Sequence, residues 1–163
     1  MFQRILIGVD DSEPADVAVS FSSALAERFR SAVHLVHVNE FTMGSRGVPL
    51  RTDQEATDLV LRAAEPFRTL GLAVSGSVRR GCPRDVAERI ADAAAEFAAD
   101  VIVLGSRRHH RFRVFRPHRV RERTVRLTAV PVIAAPAPLA LPVDGRFDVV
   151  GPADPRHTDT LAT

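Results

Sequence analysis

Apolar residues along this chain follow two alternating patterns. Short runs rich in apolar residues predict strands at 4–9, 32–38, 72–78, 100–105 and 130–135, and those at 4–9 and 100–105 are nearly continuous, as expected of buried strands. The longer stretches between them repeat apolar residues about every four positions, which favours helices at 10–30, 53–70, 81–99 and 118–128. The first helix begins with Ser12 as its expected cap and Pro14 in its first turn.

The alternation of strands and helices predicts an α/β domain. We expect a three-layer, Rossmann-like fold in which a parallel five-stranded sheet has helices on both faces. Right-handed crossovers then favour the strand order 3-2-1-4-5. In such a sheet, ligands bind outside the carboxyl ends of the strands where the order reverses, here between strands one and four. The loops that start at Asp10 and Gly105 should therefore face each other.

The pattern ends after Ala135. The last 28 residues hold five of the eleven prolines and show no apolar repeat. We predict one domain over 1–137 and a proline-rich, disordered tail over 138–163. No apolar run approaches the roughly 18 residues of a membrane span, and a single Cys allows no disulfide framework. A cytoplasmic protein that does not bind membranes fits this composition best.

Positive charge is concentrated in one segment. The chain has a net charge of +2 and contains no Lys, yet residues 105–126 hold nine Arg and only one carboxylate, Glu122. Such asymmetry is typical of a segment that meets an anionic partner, because guanidinium groups bind phosphates well. The alternative is a solvated segment whose charges only screen an acidic domain. If 118–127 is helical, Arg119, Arg123 and Arg126 share a face that excludes Arg121.

No catalytic or metal-binding constellation emerges. The chain has no G-x-S-x-G motif, and without Lys it has no Walker A motif. His34 and His37 are three apart in a predicted strand, so their side chains should point to opposite faces. We therefore expect no catalytic residues, no metal site and no enzymatic activity.

Four segments together resemble the universal stress protein family, over nearly all of residues 2–136. They are "ILIGVDDSEPADVAV", "VHLVHV", "GCPRDVAERIADAAAEFAADVIVLGSR" and "VPVIAAP". The resemblance implies a small Rossmann-like domain, usually homodimeric, in a family in which some members bind ATP and others do not. ATP is thus the cofactor that the resemblance allows.

A glycine signature after strand four marks the ATP-binding branch of that family. It consists of Gly, two residues, Gly, nine residues, then Gly followed by Ser or Asn. Here only Gly105 matches, while Arg108, His118 and Arg119 occupy the other three positions. Glycines let backbone N–H groups approach phosphate oxygens and adopt positive φ at no cost, so their loss weakens the expected phosphate cradle.

The resemblance still implies a set of nucleotide-contacting positions. Asp10 matches the position that contacts the nucleoside, although Asp10 can equally cap the first helix with Asp11 and Ser12. Arginine side chains could replace the missing backbone cradle. The full candidate set is Val9, Asp10, Val38, Gly105, Arg107, Arg108, Arg119 and Val120.

Three functions therefore remain open. The first is a small cytoplasmic stress-response regulator, homodimeric through strand 130–135, in which nucleotide binding is weak or absent. The second is an ATP-binding protein that senses or slowly hydrolyses ATP with Asp10, Gly105 and arginine side chains. The third is an interaction module in which 107–126 docks a polyanion such as nucleic acid or an acidic protein surface.

Overall fold

The computed structural model describes residues 2–41, 47–106 and 120–135 of the 163-residue chain. Five strands alternate with four helices. The strands are β1 (Arg4–Gly8), β2 (Ala32–Glu40), β3 (Val74–Gly81), β4 (Val101–Gly105) and β5 (Val132–Ala135). The helices are α1 (Glu13–Phe29), α2 (Asp53–Thr69), α3 (Val86–Glu96) and α4 (Val120–Leu127).

The strands form one parallel sheet in the order β3-β2-β1-β4-β5. The predicted fold class and strand order are thus confirmed. The register matters for the site: β1 ends at Gly8, which pairs with Val36, whereas β2 continues to Glu40 alongside β3. The last four residues of β2 therefore extend past the end of β1 and leave an open step at the carboxyl edge.

Alternating side chains of the strands fill two apolar layers. Ile5 and Ile7 of β1 lie fully buried with α1 and α2 on one face, and Phe67 of α2 packs in the same cluster. Leu6 points to the other face, where it packs with Ile90 of α3, and α3 in turn contacts α4. Both faces of the central strands are covered, which explains why their sequences are almost continuously apolar.

Several element boundaries differ from the sequence prediction, among them the end of β2, which was predicted at 38 but lies at Glu40, and the boundaries of β3 and α3. β3 was predicted at 72–78 but runs to Gly81, because its polar end pairs with the extended end of β2. On this edge strand Arg79 and Arg80 form ion pairs with Glu96 and Asp53. The third helix was predicted from residue 81 but begins at Val86; the turn before it is closed by the Cys82 N–H, which donates to the Asp85 carboxylate at 2.9 Å.

Within the described part of the chain, no helix is both long enough and apolar enough to span a membrane. Two predictions concern segments outside the described residues. They are the structure of 107–119, which contains most of the arginine-rich segment, and the disorder of the tail over 138–163.

Candidate functional site

The loops after β1 and β4 line one crevice at the carboxyl edge of the sheet. Its volume is about 640 Å³, within the range of about 300–1,000 Å³ that small-molecule sites occupy. The structure brings five of the eight candidate residues to this crevice: Val9, Asp10, Val38, Gly105 and Val120. The other three, Arg107, Arg108 and Arg119, lie outside the described residues.

Asp10 organises the loop between β1 and α1. Its carboxylate accepts hydrogen bonds from both the backbone N–H of Ser12, at 2.9 Å, and the Ser12 hydroxyl. Ser12 occupies the N-cap position, as the sequence predicted, but its side chain makes no hydrogen bond to the helix. The Ser12 hydroxyl instead donates a hydrogen bond to the Asp10 carboxylate. Asp10 therefore both shapes this turn and lines the crevice.

Gly105, at the end of β4, lies against the first turn of α1. A Cβ atom added there would come within 2.4 Å of the Pro14 carbonyl oxygen, a backbone atom that cannot move aside easily. Close helix–strand packing is one of the known roles of glycine in Rossmann-like loops. The packing alone thus requires Gly105, whether or not a ligand binds.

Arg121 is the described arginine that α4 contributes to the crevice. Its Nη1 lies 3.3 Å from the Ser106 hydroxyl oxygen, beside the end of β4. Its Nη2 lies 3.6 Å from the Glu122 carboxylate. The sequence had pointed to Arg107, Arg108 and Arg119 instead. The only signal for Arg121 was that it faces away from Arg123 and Arg126, which are exposed on the outside of the helix.

The opposite wall contains Arg51, which precedes α2. The side chain of Asn39 on β2 donates to the Arg51 carbonyl at 2.8 Å and accepts from the Arg51 N–H at 3.2 Å. The neighbouring Leu50 N–H donates to the Glu40 carbonyl at 2.8 Å. These bonds fasten the segment to the end of β2 that extends past β1. A buried Asn in an apolar strand was the available sequence signal for this anchor, and our sequence analysis missed it.

The guanidinium of Arg51 reaches across the open step to Asp11. It donates a hydrogen bond to the Asp11 carboxylate and forms an ion pair with it. This hydrogen bond is the main reason that the pKa of Asp11 lies below its usual value. Asp11, to which the sequence assigned no function, thus holds together the loop after β1 and the segment before α2.

His37 on β2 also lines the crevice and is only 5% exposed. Its Nδ1 lies 2.9 Å from the Val9 carbonyl oxygen, which can only accept, so Nδ1 carries the proton. The buried Nε2 has no hydrogen-bond partner among the described residues. His34 lies on the opposite face, between the hydroxyls of Ser75 and Ser77. Within the described ranges, no group of three acidic, His or Cys side chains could hold a metal ion.

The described walls of the crevice carry more negative than positive charge. Four carboxylates and two guanidinium groups line it, a balance of −2: Asp10, Asp11, Glu40, Glu122, Arg51 and Arg121. Each of the two arginines already faces a carboxylate of the same crevice. An incoming phosphate would therefore compete with these carboxylates.

The comparisons with known proteins agree with this architecture. The model of the universal stress protein family matches residues 1–136. A universal stress protein structure from Burkholderia pseudomallei is 26% identical, covers 83% of this chain and 97% of its own, and superposes with a TM-score of 0.65. One from Archaeoglobus fulgidus is 22% identical, with 82% and 98% covered and a TM-score of 0.63. No curated protein sequence matches the chain significantly.

A further Archaeoglobus fulgidus structure is described as a universal stress protein in complex with dAMP. It is 23% identical, the match covers 82% of this chain and 98% of the other, and the TM-score is 0.59. At this identity the likeness shows a shared fold.

Proposed function

Because this chain belongs to the universal stress protein family, we propose that it is a small, non-enzymatic regulatory protein of the stress response. We further propose that it works in the cytoplasm and that its crevice binds nucleotides weakly or not at all. The observation that supports weak binding most directly is the pairing of both described crevice arginines with carboxylates.

Two physical costs oppose a triphosphate in this crevice. Arg108 and His118 replace two of the three signature glycines, and side chains at these positions oppose the close backbone approach to phosphate oxygens that glycine allows. A phosphate at Arg51 or Arg121 must compete with the carboxylate that already lies beside the guanidinium, and that carboxylate also repels it. Gly105 does not offset these costs, because its packing against Pro14 explains it without a ligand.

A nucleotide-binding role is the second candidate. It is favoured by the crevice that Val9, Asp10 and Val38 line, and by Arg121 beside Gly105, where a guanidinium could replace the backbone cradle. The dAMP complex of the Archaeoglobus fulgidus relative supports the same role. In this reading ATP or another nucleotide is the ligand.

A titration with purified protein distinguishes the two candidates. Under the first, ATP binds with a Kd of about 1 mM or weaker, corresponding to about −4 kcal/mol. Saturable micromolar binding would favour the second candidate, provided that Asp10→Ala abolishes it. Asp10→Asn is the matched control, because an Asn side chain can still accept from Ser12 and preserve the turn.

The third candidate, binding to a polyanion, is tested by titrating the same purified protein with a polyanion in place of ATP. Arg123 and Arg126 are exposed on α4 and continue the basic segment 107–126. If that segment docks nucleic acid or an acidic protein, binding should fall steeply between about 50 and 200 mM salt and should not depend on Asp10.

A homodimer through residues 130–135 is also part of the proposal. β5 is an edge strand that pairs with β4 alone among the described strands. Val125 and Leu127 on the adjacent α4 are 54% and 50% exposed. An edge strand next to exposed apolar side chains favours association with a second copy.

A further inference from the structure

Arg51 is held in place before any ligand arrives. Its backbone makes two hydrogen bonds to the Asn39 side chain, which is 1% exposed. Arg51 lines the same crevice as Asp10 and Val38, and its guanidinium contacts Asp11, another residue of that crevice. An arginine whose main chain is fixed and whose head lies in a crevice loses little entropy when it binds an anion.

The partner that currently occupies Arg51 is easily displaced. The Asp11 side chain is 66% exposed and that of Arg51 is 32% exposed. Exposed ion pairs contribute little to stability, because solvent screens them. A phosphate that binds the guanidinium through two oxygens makes a stronger, charge-assisted contact. Exchange of one anion for another at Arg51 is thus feasible, but Asp11 always competes.

We propose that Asp11 is an intramolecular competitor for anionic ligands at Arg51. Its carboxylate occupies the guanidinium that would otherwise contact a ligand phosphate, so the crevice favours an uncharged nucleoside over the corresponding nucleotide. This inference rests on the proposed weak nucleotide binding, since it assumes that the crevice accepts a nucleoside-like ligand. It adds the residue that sets the preference against phosphate.

The position of Asp11 explains why it would compete and not merely add charge. Asp11 follows directly on Asp10 in the loop that lines the crevice, and it is joined to Arg51 across 40 residues of sequence. The pKa of Asp11 is lowered mainly by this hydrogen bond, so the carboxylate stays ionised at neutral pH. Glu13, two residues on, is also acidic and exposed, but it does not line the crevice.

Calorimetric titrations with adenosine and AMP test the inference. The variants are Asp11→Asn, Arg51→Gln, the double variant of both, and Glu13→Gln as the charge-matched control. We expect Asp11→Asn to raise AMP affinity roughly three- to fivefold, the scale of an exposed ion pair. Adenosine affinity should stay within about twofold, because adenosine presents no anion to Arg51. The double variant should lose the gain in AMP affinity, and Glu13→Gln should not show it.

Several outcomes would overturn the inference. An equal gain in Glu13→Gln would show a general effect of net charge, and a gain that persists in the double variant would exclude Arg51. Wild-type protein that binds AMP more tightly than adenosine would contradict the stated preference. If Asp11→Asn fails to bind AMP, the inference falls, while the non-enzymatic regulatory role still stands. Micromolar ATP binding by the wild type would instead refute the proposed weak nucleotide binding.

Discussion

Gly105 ends β4 with almost no room around its α-carbon. The nearest atoms to an added Cβ belong to the backbone and ring of Pro14, at 2.4–2.9 Å. A glycine that matches a family signature can thus be required by packing alone. Gly105 is the single signature position that the chain retains, so its presence does not by itself indicate a phosphate-binding loop.

Substitution of Gly105 tests the packing requirement. Gly105→Ala should destabilise the fold by about 1–3 kcal/mol, the usual cost of overpacking, and lower the Tm in thermal denaturation. Gly71→Asn is the control, because Gly71 has open space around it and Asn tolerates its φ of +65°. An unchanged Tm in Gly105→Ala would show that β4 and α1 can separate at no cost.

His34 gives the protein a predictable response to acid. Burial, and next the nearby Arg79, hold the pKa of His34 below its usual value of 6.5. In the unfolded chain the pKa returns toward 6.5, so at pH values between the folded and unfolded pKa unfolding takes up a proton. The contribution of His34 to stability is therefore complete above pH 6.5 and is lost as the pH falls through the lower, folded pKa.

The loss of the His34 contribution to stability should appear in melting curves recorded between pH 8 and pH 5. We expect the Tm of the wild type to fall more over this interval than the Tm of His34→Gln, which cannot titrate. Parallel pH profiles for the two proteins would contradict a depressed pKa at His34.

At the level of elements, the unequal lengths of β1 and β2 create the site. β2 extends four residues past Gly8, and the segment before α2 attaches to this extension through Asn39. The anchored segment supplies Arg51 to one wall of the crevice. If β1 and β2 had equal lengths, β2 would have no extension to which this segment could attach. The step at the sheet edge therefore determines which side chains face a ligand.

Asn39 is the residue on which this attachment depends. Asn39→Ala should cost about 1–3 kcal/mol, because it leaves the N–H and carbonyl of Arg51 without their partners. Hydrogen exchange should quicken at residues 50–52 more than in the sheet. Gln54→Ala is a suitable control, since Gln54 makes an exposed side-chain hydrogen bond to Asp58 on α2. Unchanged exchange at 50–52 would mean that other contacts hold the segment.

At the scale of the whole molecule, β5 offers the edge on which a second copy could assemble. The Pro131 carbonyl accepts from Ile102 at 2.9 Å, so residues 131, 133 and 135 face β4. Ala134, between them, directs its N–H outward. Proline is tolerated on an edge strand when its missing N–H faces solvent.

Ala134→Pro should therefore leave the monomer folded but prevent pairing of two β5 edges. Light scattering after size exclusion should give twice the 17.8 kDa chain mass for the wild type and the single mass for this variant. Leu61→Ser, at an exposed position on α2, should remain dimeric. A monomeric wild type, or a dimeric Ala134→Pro, would refute the proposed interface.

The fold could be predicted from the sequence because apolar periodicity is a local property. Runs such as 4–9 and 32–38 indicate which side chains are buried. Their alternation with helices then allows only a few topologies for the sheet. The same reasoning located Asp10 and Gly105 at one sheet edge, since the carboxyl ends of parallel strands meet there. Boundaries such as the end of β3 were missed, because strand pairing extended a polar segment that no local pattern marks.

By itself, the sequence determined the layers, the strand order and the edge at which a crevice opens. Only the tertiary structure decided that Arg121 lines the described crevice, that Gly105 is required by Pro14, and that Arg51 is already paired with Asp11. The physical reason is distance along the chain. Burial patterns repeat over a few residues, whereas Asp11 and Arg51 are 40 residues apart and meet only when β2 extends past β1.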